Sequence, residues 1–188
     1  MGRDFRGSLG MHPVQVQGVF LDRDGVLNRS LYRNGRPYAP VLLEEFEIFP
    51  EAGPALSRLK ARGFKLVVVT NQPDVGKGLV PREVVEAMHR RLAGELPLDA
   101  IKVSYGTRED DPFRKPNPGM LLEAAGELGI DLARSFMVGD RWRDIDAGRA
   151  AGCRTILIGD GYGEVGHIDC DHRCGSIAEA VAHILGCN

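Results

Sequence analysis

The chain has 188 residues, and 24 Lys and Arg against 26 Asp and Glu give a formal net charge of −2. At 43% hydrophobic and 27% charged it has the apolar material and the length of one globular domain, which excludes a disordered tail or a coiled coil. The near-neutral balance argues against a nucleic-acid partner held by a basic face, and no apolar run reaches the ~18 residues of a membrane span.

The first thirteen residues, MGRDFRGSLGMHP, mix glycines with polar neighbours and lack the apolar segment of a secretory signal. They predict a flexible leader at 1–13, followed by a single domain over 14–188. Cys153, Cys170, Cys174 and Cys187 all fall in the last quarter; without a secretory signal they are expected to be reduced thiols of a cytoplasmic protein.

Beyond the leader, short apolar runs alternate with longer amphipathic ones. VQGVFL at 16–21 predicts a strand ending in a charged turn. Pro50 precedes an expected helix that stops near Gly63. The continuous run FKLVVV at 64–69 then predicts a strand buried on both faces. Pro81 suits the first position of a helix reaching about Leu92. Further strands are expected at 100–104, 135–138 and 154–158. Between them, Pro118 and Gly119 open a helix closing near Gly129, and a short helix occupies 143–151. Ser176 caps a last helix that ends at Gly186. This alternation predicts parallel βαβ units, an α/β doubly wound sheet. The segments 27–51 and 80–100 are too short for a large cap domain. Ligands of such sheets bind beyond the carboxyl ends of the strands, where this chain's polar clusters fall.

Asp22-Arg23-Asp24-Gly25-Val26 directly follows the first strand. Two carboxylates two residues apart at a strand end can converge on one cation, and Mg²⁺ needs only a few protein oxygens. Gly25 lets the backbone turn sharply and bring the Asp24 carbonyl inward; an ordinary turn also favours Asp and Gly. Thr70 and Asn71 supply neutral donors suited to phosphate oxygens, or else cap a helix. Arg114-Lys115-Pro116 sets two cations beside a rigid loop, or is a solvated pair. Val138-Gly139-Asp140 with Asp144 offers further carboxylates at a strand end, where Asp144 and Asp146 also suit a helix N-terminus.

Taken in order, Asp22-x-Asp24, Thr70, Lys115 and Gly139-Asp140 resemble the four motifs of the haloacid dehalogenase superfamily of aspartate-nucleophile phosphotransferases. The resemblance spans about residues 16–186. FLDRDGVLN, VVTNQPDVGKG, RKPNPGML and MVGDRWRDIDAG look like the subfamily of histidinol-phosphate and heptose-bisphosphate phosphatases. The resemblance implies Asp22 as nucleophile, Asp24 as acid and base, and Thr70 and Lys115 on the transferring phosphoryl group. It also implies Mg²⁺ held by Asp22, the Asp24 carbonyl and Asp140. Asn71, Gln72 and Pro73 would line the substrate side, with Arg114 and Arg141 as further substrate contacts. Asp144 is expected to orient Lys115 or metal-bound water. The expected activity is hydrolysis of a small phosphorylated metabolite by a monomer. A heptose 1,7-bisphosphate is the first choice and histidinol phosphate the second; a non-catalytic phospho-ligand-binding module is the reading from another class.

Many members of that subfamily carry a zinc loop before Arg-Lys-Pro, but 105–113 here has neither Cys nor His and cannot hold zinc. His167, Cys170, His172 and Cys174 are spaced more tightly than common zinc patterns, leaving zinc or loose surface thiols and imidazoles as readings. Gly161-Tyr-Gly163-Glu-Val-Gly166 fits G-x-G-x-x-G but is followed by no helical period, so it reads as a loop near the site's rim. Trp142 is expected to pack. Arg29, Tyr32, Arg33 and Arg36, in the loop at 28–40, are either substrate contacts or ordinary surface.

Overall fold

The computed structural model of the protein describes residues 15–33 and 35–187, and the expected leader lies outside them. The first strand, β1 (Gly18–Leu21), is buried throughout. A hairpin, β2 (Leu31–Arg33) and β3 (Arg36–Tyr38), precedes α1 (Ala52–Ala61), β4 (Lys65–Asn71) and the short α2 (Pro73–Gly76). Then come α3 (Arg82–Glu95), β5 (Ala100–Ser104), α4 (Gly119–Leu128), β6 (Phe136–Gly139) and α5 (Trp142–Ala151). The chain closes with β7 (Arg154–Ile158), β8 (His172–Cys174) and α6 (Ile177–Gly186).

Six strands form one parallel sheet in the order β5-β4-β1-β6-β7-β8, the expected α/β doubly wound architecture. Leu21 of β1 stands opposite Val68 of β4 and Val138 of β6. The chain runs outward from β1 to β5 on one side, then returns to β6 on the other. Strand order therefore reverses beside β1, and a crevice opens there above the carboxyl ends.

Each face of the sheet carries its own core. Val19, Leu21, Leu66 and Val68 pack on one side against Leu56, Leu59, Met88, Leu92 and Val181. Phe20, Val67, Val69 and Met137 face the other side, against Met120, Leu121, Ala124 and Ala147. Period-two alternation with both faces covered explains the uninterrupted apolar strands. No helix among the described residues is long and apolar enough to cross a membrane.

Several strands differ from expectation, and the short α2 lies outside the predicted elements. β4 continues through Thr70 and Asn71, because β5 supplies Val103 and Ser104 as partners. β8 and the β2–β3 hairpin were not anticipated, since three residues are too few to display a period. β8 exists because β7 offers its edge, pairing Ile156 with His172 and Ile158 with Cys174.

Candidate active site

β1 delivers Asp22 to the crevice, where its backbone N–H donates to the Val138 carbonyl at 2.9 Å. Lys115 reaches the same point from the loop before α4. Its Nζ donates to Asp22 Oδ1 at 2.7 Å and to the Val69 carbonyl at 2.7 Å, and pairs with Asp144 Oδ1 at 2.6 Å. Burial works against the Lys115 charge, but Asp144 and Asp22 outweigh it and raise its pKa. Burial, with repulsion from Asp144 and Asp24, pushes Asp22 up to about 7 despite Lys115. Burial and the charges of Asp22 and Asp144 raise Asp140 as well.

Oxygens of Asp22, Asp140 and Asp144 lie within 4.8 Å of one another, the one such group among the described residues. Asp144 has both oxygens engaged, Oδ1 on Lys115 and Oδ2 accepting the Arg141 N–H at 3.0 Å. Asp140 differs: it is 2% exposed, and its Oδ1 has no partner. A buried carboxylate oxygen without a donor, among carboxylates that repel one another, is a donor set that fits a divalent cation with oxygen ligands. Gly25 makes this packing possible. Its φ is +82°, and a Cβ there would lie 1.8 Å from Asp140 Oδ2.

Asp24 is held apart from that group. Arg23 grips it with two nitrogens, Nη2 at 2.9 Å from both carboxylate oxygens and Nε at 3.2 Å from Oδ1. Asn28 Nδ2 and Gln72 Nε2 add bonds of 3.0 and 2.8 Å. Burial opposes ionisation, yet Arg23 and these amide donors hold the Asp24 carboxyl below its ordinary value. Arg23 itself is fully buried, with His89 Nε2 at 3.2 Å and the Phe46 ring beneath its guanidinium at 5.4 Å. Sequence reasoning missed Arg23, since an Arg in a strand-end turn reads as solvated.

Thr70 accepts from Gln72 Nε2 at 3.0 Å. Asn71 clamps the Lys115 backbone reciprocally, donating to its carbonyl at 2.9 Å and accepting its N–H at 3.0 Å. These residues, with Pro73 at the start of α2, line a cavity of about 870 Å³ together with Asp22, Asp24, Lys115 and Asp140. Arg114, Arg141, Arg143 and Lys77 stand around it, and the hairpin contributes Arg36, Pro37 and Tyr38. Arg114 donates to the Gly106 carbonyl at 3.0 Å, and Arg141 pairs with Glu164. The Nε atoms of Arg114 and Arg141 are buried without partners. Trp142 lines the cavity too, while packing against the cluster of Ile145, Leu157 and Ile168. Of the loop residues, Arg29 pairs with Glu47 at the surface and Tyr32 is 63% exposed, so only Arg36 of that basic group faces the cavity.

The glycine-rich run does border the site, through a residue sequence reasoning passed over: Tyr162 Oη donates to Asp140 Oδ2 at 2.5 Å. The Cys and His residues nearby take other roles. Cys170 packs against the Ile145–Leu157–Ile168 cluster, Cys174 against the larger core, and His172 stacks on His183 at 3.6 Å. At 105–113, Asn117 fastens the loop by donating to the Glu109 and Asp111 carbonyls at 3.0 and 2.8 Å.

Comparison with known proteins agrees with this geometry. A family model described as haloacid dehalogenase-like hydrolase matches residues 14–152. A Thermosynechococcus vestitus protein named D-glycero-D-manno-heptose-1,7-bisphosphate 7-phosphatase is 37% identical over 164 residues, 78% of this chain and 80% of that one. A Pseudomonas aeruginosa D-glycero-beta-D-manno-heptose-1,7-bisphosphate 7-phosphatase is 34% identical over 152 residues, 77% of this chain and 82% of its own. Among solved structures, the D,D-heptose 1.7-bisphosphate phosphatase from B. bronchiseptica, complexed with magnesium and phosphate, superimposes with a TM-score of 0.78 at 29% identity. That match covers 92% of this chain and 100% of the other. Four motifs gathered at the switch point of a parallel sheet, and a family match across most of its length, make this chain a member of the haloacid dehalogenase-like hydrolases, with phosphatases as its relatives.

Proposed function

We propose that this chain hydrolyses the 7-phosphate of D-glycero-D-manno-heptose 1,7-bisphosphate through an aspartyl-phosphate on Asp22, with Mg²⁺ as cofactor. The observation that carries the reading is the floor of the cavity, where the Asp22 carboxylate is held by Lys115 beside an unpartnered oxygen of Asp140. Carboxylates are weak nucleophiles and repel anionic phosphate, so the attack needs positive charge at the phosphoryl oxygens. Bound Mg²⁺, held by Asp22, Asp140 and the Asp24 carbonyl, would supply that positive charge as a Lewis acid.

The protein's own groups then divide the work. Lys115 fixes one Asp22 oxygen and offers an ammonium to the phosphoryl group, while Thr70 supplies a neutral hydroxyl. Asp22 attacks phosphorus, and Asp24, ionised in the free protein, would take up a proton on substrate binding and give it to the leaving alkoxide. In the second half-reaction Asp24 takes a proton from water as that water attacks the aspartyl-phosphate, releasing phosphate and restoring Asp22. The cationic rim, to which Arg114 and Arg141 belong, would hold the phosphate that stays on the sugar. The names of the curated relatives support a heptose bisphosphate over histidinol phosphate.

We infer that the chain acts as a cytoplasmic monomer, with one catalytic domain over 14–188 and a small phosphorylated metabolite as its partner. The test is phosphate release from both anomers of the heptose bisphosphate and from histidinol phosphate. Heptose bisphosphate is expected to be preferred, with turnover lost on adding a chelator and in Asp22→Asn. Full turnover in Asp22→Asn would overturn the covalent route.

A further inference from the structure

The segment between β7 and β8 carries one residue whose placement the reaction described above does not use. Tyr162 has a φ of 60°, in the left-handed region that a bulky side chain seldom enters. Backbone in such a conformation persists where surrounding contacts hold it, and these collect at functional sites. The contacts here are specific. The phenol donates to Asp140 Oδ2 at 2.5 Å, and the ring lies 6.1 Å from that of Tyr32 in the hairpin. The Arg141 guanidinium stands 6.0 Å from the ring centroid. A Cβ on Gly25 would meet Asp140 Oδ2 at 1.8 Å and Tyr162 Oη at 3.0 Å, so turn, carboxylate and phenol are packed without slack.

We propose that Tyr162 is a positioning residue for the metal site: by holding Asp140 Oδ2, its hydroxyl turns Oδ1 toward the cation. The inference rests on the metal reading given above and assigns a residue to it. A carboxylate with neither oxygen held can rotate and offers a cation no fixed ligand. With Oδ2 engaged by Tyr162, only Oδ1 is left, and Oδ1 is the buried oxygen that has no partner. A phenol suits the task because it has a single proton to give. Partners that orient a metal ligand typically contribute 10–100-fold in metal affinity.

The test is calorimetric titration of Mg²⁺ into the full chain, without substrate, for the native protein, Tyr162→Phe, Asp140→Asn and Glu164→Gln. Tyr162→Phe keeps the ring and removes only the hydroxyl. It is expected to weaken Mg²⁺ binding about tenfold or more. Excess Mg²⁺ is expected to recover most of its kcat, so the defect appears in metal dependence rather than in the chemical step. Glu164→Gln, in the same segment as Tyr162, breaks the pair with Arg141 and is expected to bind Mg²⁺ like the native protein. Equal Mg²⁺ affinity in the native protein and Tyr162→Phe would overturn this proposal alone. A matching loss in Glu164→Gln would also overturn it, by showing that loop integrity and not the hydroxyl matters. Absence of Mg²⁺ binding in the native protein, indistinguishable from Asp140→Asn, would overturn the metal reading itself.

Discussion

Arg23 shows how much a single side chain can commit. Its guanidinium is wholly buried, and its charge is met by Asp24 on one side and by a ring face and an imidazole on the other. Replacing it with Met would leave Asp24 ionised and unpaired in the interior, a change that usually costs about 3–5 kcal/mol. Arg23→Met is therefore expected to lower the urea midpoint sharply, and Arg23→Lys to recover only part of it, because an ammonium cannot grip both oxygens as a fork does. His89 belongs to the same cluster. Burial, followed by the neighbouring Arg23 charge, pushes it down to about 4 from an ordinary 6.5. Its folded pKa lies below its unfolded one, so its contribution is complete above pH 6.5. That contribution declines as acid reaches pH 4, by at most about 3 kcal/mol. Unfolding free energies measured between pH 4 and 7 should show this slope, and His89→Gln should flatten it.

Elements place these side chains, and their ends were the most legible part of the chain. Ser176 accepts the Glu179 N–H at 3.2 Å as an N-cap, and Gly129 closes α4 in the left-handed conformation, both through chemistry confined to a few neighbouring residues. Pro81 is the residue before α3 rather than its first, a shift of one position. The turn after β1 combines local and distant demands. Gly25 needs its positive φ, and it also needs the space that Asp140 fills from β6. Gly25→Ala is expected to cut turnover at least tenfold, since Asp140 must move, at a stability cost of about 1–3 kcal/mol. Ser176→Ala should cost about 1 kcal/mol and leave turnover unchanged. Parallel thermal unfolding and phosphate-release assays on the two variants separate the effects.

At the scale of the molecule, the cavity has a floor from the carboxyl ends of β1, β4 and β6 and a roof from the β2–β3 hairpin. The hairpin brings Arg36 over the site from outside the sheet. Arg36→Ala is expected to raise KM about tenfold for a bisphosphate while changing KM for a monophosphate little, which steady-state kinetics on both substrates would reveal. Five of the eight described strands, most helices, and the residue types that the crevice gathers, Asp22, Asp24, Thr70, Lys115 and Asp140, could be read from residue order, because periodicity, caps and motif spacing are written locally along the chain. Arg23, Tyr162, the Asn71 clamp on Lys115 and the edge strand β8 could not. Each depends on a partner far away in sequence: Asp140 is 22 positions from Tyr162, and Lys115 is 44 from Asn71. A buried polar group gains its role from whichever donor or acceptor the folded sheet sets beside it, and no local pattern along the chain carries that information.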